Sequence, residues 1–417
     1  MDIDVVLADY SINNISDLSL QAEEIGFNCL WTSETKHNPF LPLAIASQNT
    51  NKIKLGTAIS VALARSPMVL AYTSWDLSQL SHGRFFLGLG TQVRAHVKRR
   101  FGMPWDSPVS QLKEIISCIR HIWNCWQTQT RLNFNGKYYK LNLMTPFFDP
   151  GPIDYPDIPI YIAGVNESLC KAAGEVCDGF HVHPLHTKEY IEDFIVPNIK
   201  VGCESNDRNI KDVSISGSVF VITGPDSDSM QKSKEFVRSQ VAFYSSTPTY
   251  STVLEMHGWG NVAKELNKLS SSGNFKDMPK LITDEILDTV AITGQPHEIA
   301  PLALKKYSGL LAVSSDVRSN QQFMFDVMMH INNSIIDGLA LKSLSYADGV
   351  VVIVGLSMSD QNIIAFNNSL GSSPLVQRAS LQTMSEVVED GIPLKSFSLR
   401  VVLGSDPQVE KGGEEKE

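Results

Sequence analysis

The chain lacks an apolar run long enough to cross a bilayer. Its longest, Val350 to Leu356, falls far short of the ~18–20 residues a spanning helix needs. No charged-then-apolar signal segment opens it. Basic charge is scarce too: 35 Lys and Arg stand against 45 Asp and Glu, a net charge of -10. No basic stripe is available to neutralise nucleic-acid phosphates, so a nucleic-acid partner is excluded. The expectation is a soluble, acidic, cytoplasmic protein. CxxC pairs are absent as well. Cys118 and Cys125, and again Cys170 and Cys177, stand seven residues apart, two turns along one helix face. That spacing, and the usual burial of free thiols, places them in a core and excludes disulfides or a zinc site.

What remains is globular composition: 417 residues, 43% hydrophobic and 19% charged. The length predicts two or three domains, or one large α/β barrel with an added module. All six Cys and all six Trp precede Gly260. Residues after Val317 carry 7 basic and 12 acidic side chains, leaving 28 and 33 before them, so both parts are acidic. The shift in aromatic and Cys usage puts a boundary near 310–320. Residues 404–417 are polar and Glu-rich and read as a disordered tail.

The first 300 residues alternate strand and helix. Asp4–Leu7, Cys29–Thr32, Ile53–Ser60, Arg84–Leu89, Pro159–Ala163, Gly179–His183 and Val213–Thr223 read as strands. Helices read over Ile15–Ile25 (ending at Gly26), Leu41–Ser47, Pro67–Leu80, Gln111–Trp126, Ser168–Val176, from about Lys188, Ser227–Tyr244, within Asn261–Val290, and Pro296–Tyr307. A hairpin signal at Asn135-Gly136 and prolines from Pro146 to Pro159 mark an inserted segment. Leu310–Ser314 is the candidate closing strand. The count predicts an α/β fold: a TIM (β/α)8 barrel with insertions over residues 1–315.

A barrel concentrates chemistry on the loops after strand C-termini. There lie Glu34 and His37, Gly88, Gly90 and Thr91, Gly164, Val165 and Asn166, and His181 and His183. Gly88-Leu89-Gly90 is not a dinucleotide fingerprint, because Val93 takes the third glycine position. The two glycines instead predict close approach of backbone to a ligand. Gly164 to Ser168 joins a strand to a helix start, suited to phosphate, although spacing alone favours an ordinary turn capped by Asn166 or Ser168. His181 and His183 alternate and should share one face of a strand. An HxH metal pair needs further His and Asp partners, which the surrounding sequence does not supply, so no metal is expected. His37 suits proton transfer because its ordinary pKa is near neutral.

These residues resemble the bacterial-luciferase-like family, whose members use flavin or deazaflavin coenzymes, over about residues 1–310. The anchors are Glu24-Ile25-Gly26-Phe27, Trp31-Thr32-Ser33-Glu34, Leu55-Gly56-Thr57, Leu80-Ser81-His82-Gly83-Arg84-Phe85 and Leu87-Gly88-Leu89-Gly90. Pro159 to Gly164, Ala173-Gly174-Glu175 and Asp178-Gly179-Phe180 complete them. Glu34-Thr35-Lys36-His37 and Phe180-His181-Val182-His183-Pro184 are similar to the branch assigned to coenzyme F-420. The resemblance implies a coenzyme ring at the C-terminal face and a bulge after strand three with a non-prolyl cis bond at Ala58–Ile59. It also implies phosphate near Gly164, Val165 and Asn166. Luciferase's own catalytic histidine would fall near Thr35, so that role is absent or has moved to His37.

Residues 321–403 read helix, strand, strand, helix, strand, strand, a small α+β ferredoxin-like module. Phe323, Val327, Ile331 and Ile335 give the first helix its stripe. The pattern, with Leu341 to Ser345 and Phe397 to Arg400, resembles the C-terminal domain of PilN-type fimbrial assembly proteins.

The resulting expectation is a deazaflavin-dependent oxidoreductase that passes a hydride to or from a small organic substrate. His37 is expected to move the proton, Glu34 to orient it and His183 to face the ring. Ala58, Ile59, Gly88, Gly90, Thr91, Gly164, Val165, Asn166 and His181 are expected to hold the coenzyme. An FMN-dependent monooxygenase and a non-catalytic assembly component with a degenerate barrel are the alternatives. A homodimer and a pilus-assembly partner for the C-terminal module stay open.

Overall fold

The structure is a computed structural model. It describes residues 2–307 except 8 and 9, then 327, 330, 331 and 334, and 335–404 except 348, 390 and 391. The chain divides into two compact units, Met1–Leu310 and Leu311–Glu417.

In the first unit, parallel strands β1 (Val5–Leu7), β2 (Cys29–Thr32), β3 (Lys54–Thr57), β4 (Ser60–Val61) and β5 (Phe85–Gly90) precede a short hairpin, β6 (Phe134–Asn135) and β7 (Lys140–Leu141). Strands β8 (Ile160–Gly164), β9 (Gly179–Val182) and β10 (Ser214–Gly217) extend the sheet in the order β1-β2-β3-β5-β8-β9-β10, with β4 also on β5. β11 (Phe220–Ile222) pairs in parallel with β12 (Ala291–Thr293) as a separate two-stranded sheet. β2 and β9 are buried at every residue, as strands covered on both faces are, with Thr32 and His181 as their polar members. Each helix begins where local chemistry permits. Ser66 caps Pro67–Leu80, with proline in the first turn, and Gly26 ends Ile15–Ile25 at φ 95°.

Two expectations about the strands need correction. The predicted strand Val213–Thr223 is broken at residues 218 and 219 into β10 and β11. The last described strand of this unit is β12, in a stretch between the predicted helices for which the sequence predicts no strand. It follows helix Asp284–Val290 directly, and its three residues prolong that helix's apolar pattern with no turn residue between. Leu310–Ser314 lies outside the described residues.

The barrel interior is filled by Cys29 and Trp31 from β2, Phe86 from β5, Tyr161 from β8 and Ala58. Gly56 and Gly179 leave room for two of these rings. A Cβ on Gly56 would sit 2.2 Å from Trp31, and one on Gly179 would sit 2.4 Å from Tyr161. The Trp31 indole N–H donates to Asp4 Oδ2 at 2.8 Å, so the interior's lower layer is polar but partnered. All six cysteines are free and buried.

The second unit is a four-stranded antiparallel sheet, β13 (Leu339–Ala347), β14 (Val350–Ser357), β15 (Val376–Glu389) and β16 (Ile392–Leu403), in the order β13-β14-β16-β15. Helix Asp360–Gly371 buries Ile363, Phe366 and Leu370 against Val351, Ile353, Phe397 and Leu399. Val327 and Ile331 join this core from the preceding helical positions. Ile335 of the expected stripe is exposed, and Phe323 lies outside the described residues.

Candidate active site at the strand C-termini

The strand-three region carries one residue too many. β3 pairs Gly56 with Phe86, and β4 pairs Ser60 with Leu89, so four steps on one strand face three on β5. The surplus residue makes a bulge over Ala58–Val61. The Ala58–Ile59 peptide is cis. Thr57 locks the bulge to β5: its hydroxyl donates to the Gly88 carbonyl at 2.7 Å and accepts the Gly88 N–H at 2.9 Å.

Gly88 and Gly90 face the bulge. A Cβ on Gly88 would stand 1.7 Å from the Thr57 carbonyl oxygen, and one on Gly90 would stand 2.7 Å from the Ile59 side chain. Both glycines admit the bulge itself. Backbone makes the close approach at Gly88, and the Ile59 side chain makes it at Gly90.

The loop after β2 grips the bulge from the other side. Ser33 Oγ donates to the Ala58 carbonyl at 2.7 Å, and the Glu34 N–H donates to the Ile59 carbonyl at 3.2 Å. Glu34 Oε2 accepts the Val61 N–H at 2.7 Å and Arg65 Nη1 at 2.6 Å, while Oε1 accepts Arg65 Nη2 at 2.8 Å. Glu34 is thus committed to Arg65 and the bulge rather than to orienting His37. His37 lies on the exposed part of the loop, its ring 5.3 Å from that of Tyr10.

His181 is buried at the inner wall, edge-on to Trp31 at 4.7 Å and tilted against Tyr161 at 5.2 Å. Burial lowers its pKa to about 4, so the ring is neutral at ordinary pH. The Thr57 carbonyl pulls weakly the other way, yet it closes no hydrogen bond with Nε2, which has no protein partner.

His183 does not join His181. β9 ends at Val182, and beyond it the alternation lapses. The His183 ring stacks on Tyr250 at 4.4 Å and meets Tyr244 edge-on at 4.6 Å, while Nδ1 accepts the Leu185 N–H. Burial, and then the charge on His186, lower its pKa to about 3.

At the end of β8, Asn166 caps helix Glu167–Val176 by accepting the Leu169 N–H at 2.9 Å. The Val165 carbonyl accepts the Tyr190 hydroxyl, and Gly164 makes room for Leu169. Thr91 is buried, and its hydroxyl donates to the Gln92 carbonyl.

Four buried side-chain atoms without protein partners belong to residues at or just beyond strand C-termini: Tyr10 Oη, Ser60 Oγ, His181 Nε2 and Thr223 Oγ1. Buried polar atoms are normally paired, so these are candidates to receive a ligand's polar groups; seven others among the described residues lie elsewhere. Two cavities of about 550 and 560 Å3 lie elsewhere, one at the barrel base beside Arg120 and Asp178, the other among outer helices beside Ser251 and Lys264. The sequence assigns no role to Ser33 or Ser60, although both lie at predicted strand ends, and none to Arg65. Arg65 had one signal, a lone charge ending the apolar stretch Val61 to Ala64.

The family model for luciferase-like monooxygenases matches residues 4–311. The chain belongs to that family. An uncharacterized protein of Mycobacterium tuberculosis is 40% identical to this luciferase-like chain over 296 residues, 71% of this chain and 87% of its own. A 5,10-methylenetetrahydromethanopterin reductase of Methanolobus tindarius is 28% identical over 282 residues, 66% of this chain and 81% of its own. The solved coenzyme F420-dependent tetrahydromethanopterin reductase of Methanopyrus kandleri shares the fold, with TM-score 0.61 and 23% identity, covering 75% of this chain and 90% of that one. An FMN-bound Baeyer-Villiger monooxygenase of Pseudomonas putida does so at TM-score 0.52 and 17% identity, covering 74% and 90%. The fimbrial assembly protein (PilN) model matches residues 326–403. Among the described residues no helix is long and apolar enough to cross a membrane.

Proposed function

We propose that this luciferase-like enzyme binds the deazaflavin coenzyme F-420 and passes a hydride between it and a small organic substrate. The observation that carries the reading is the bulge at Ala58–Val61, backed by neutral, buried His181 and flanked by the unpartnered Ser60 hydroxyl. A flat, neutral-edged ring system suits such a wall. His181 offers one ring nitrogen without adding charge, and the bulge offers backbone and a hydroxyl. Relatives named for F-420 or for a methanopterin reduction support deazaflavin over FMN.

When bound, the coenzyme supplies the hydride chemistry; the protein aligns and encloses. Ala58, Ile59, Ser60 and His181 would hold the ring. Thr91 and the turn Gly164, Val165, Asn166 would face its phosphate-bearing arm, where the positive end of helix Glu167–Val176 favours an anion. Glu167 in that first turn is paired with Lys171, which reduces its opposition. His37, exposed on the loop after β2, would exchange a proton with substrate entering from solvent.

The test is equilibrium titration of the purified chain with F-420 and with FMN. F-420 should bind at least about tenfold more tightly, a difference of ~1.4 kcal/mol. Tighter FMN binding would favour an FMN-dependent monooxygenase, and no binding of either would favour a non-catalytic barrel. His37→Ala should lower turnover by about 10²–10⁴ with coenzyme affinity unchanged. Equal loss of both would make His37 a binding residue.

A further inference from the structure

We infer that Glu34 and Arg65 are a positioning pair that sets the bulge Ala58–Val61 in register with the coenzyme ring; the inference rests on the deazaflavin reading above. Four hydrogen bonds tie the bulge to the end of β2 and its loop. The Ala58 N–H donates to the Thr32 carbonyl, Ser33 Oγ to the Ala58 carbonyl, the Glu34 N–H to the Ile59 carbonyl, and the Val61 N–H to Glu34 Oε2. Ser60, in the middle, keeps its hydroxyl unpartnered.

The Val61 N–H and the two Arg65 donors use both Glu34 oxygens as acceptors, which an amide cannot match, and place a carboxylate inside the protein with its side chain only 8% exposed. An isolated buried carboxylate would be costly, and beside an anionic coenzyme it would also repel. Arg65, 16% exposed, removes both objections with a two-pronged contact, and Nη1 returns to the Val61 carbonyl at 3.2 Å. Its guanidinium lies 5.6 Å over the Phe40 ring, which fixes the plane of the fork. A buried ion pair adds little net stability compared with apolar packing. What it supplies here is geometry. Loop 33–34, bulge 58–61 and Arg65 are joined by one set of hydrogen bonds.

The experiment compares Glu34→Gln, Arg65→Lys and the unaltered full-length chain by F-420 fluorescence titration, well below each protein's melting temperature. Glu34→Gln should weaken binding about tenfold or more, the usual worth of a hydrogen bond to a charged group. It should also shift the bound coenzyme's emission, because the ring's wall has moved. Arg65→Lys keeps the charge but loses the fork, so it should show the same change to a smaller degree. Should Glu34→Gln fail to fold, Arg65→Lys carries the test on the same two readouts. A lowered melting temperature with affinity and emission unchanged would make the pair merely structural and overturn the inference. An unaltered chain that binds no F-420 would instead overturn the deazaflavin reading, and this inference with it.

Discussion

Two of the arginine–carboxylate pairs among the described residues stand at opposite ends of the barrel. At the mouth, Arg65 and Glu34 are 16% and 8% exposed and the contact is 2.6 Å. At the base, Arg120 and Asp178 are 43% and 39% exposed with a contact of 2.8 Å. The distances are nearly the same and the environments are not. Water screens the base pair, which ties an outer helix to the start of β9, while Asp178 also accepts the Ile160 N–H. The mouth pair is enclosed and holds a backbone bulge. Identical chemistry therefore closes a surface seam at one end and shapes a site at the other.

Truncation should separate the two ends most sharply. Arg65→Ala leaves Glu34 buried and unpaired, and should cost about 3–5 kcal/mol of unfolding free energy in urea. Next in size, Gly88→Ala should cost about 3 kcal/mol, because the new Cβ meets the Thr57 backbone, which cannot rotate away. Gly179→Ala meets only the Tyr161 ring and should cost less by the same assay. If Gly179→Ala were the worse of the two, the bulge would be softer than its hydrogen bonds imply.

The lower interior layer offers a pH test. Trp31→Phe removes the indole donor to Asp4 and should cost about 1–3 kcal/mol. Asp4's pKa is raised, because burial outweighs the Trp31 hydrogen bond. A carboxyl raised in the folded state holds its proton more tightly there than in the unfolded chain. Its penalty is full above the folded pKa and is relieved as pH falls toward the ordinary value of 3.8. Asp4→Asn should flatten that part of the stability–pH curve; an unchanged curve would clear Asp4 of the effect.

Arg120→Ala should change stability by less than about 1 kcal/mol, the usual worth of an exposed pair. A larger loss would erase the contrast between the two ends. The smallest effect concerns the C-terminal unit, which we propose folds separately from the barrel. Its buried set is almost wholly apolar, with a few serines. Ending the chain after Val317 should alter F-420 affinity less than about twofold, as for uncoupled sites.

Local physics made much of this chain legible in its sequence. Helix Ile15–Ile25 ends at Gly26 because only a residue free of Cβ accepts that φ cheaply, and Pro67 sits where a first turn needs no N–H donor. The strands up to β9 announce themselves by apolar runs bounded by turn residues. β12 does not, because three residues carry too little pattern to stand apart from the helix before them. Resemblance to a family, rather than periodicity, pointed to the bulge and to the cis peptide. Tertiary structure alone decided the partners. Glu34 meets Arg65 across 31 residues because the register of β2, β3 and β4 brings them together. His181 and His183 part because β9 stops one residue short of the second histidine. Sequence determines which residues are apolar, charged or free to turn; which buried charge finds which partner is set by strand register, and that exists only once the barrel has formed.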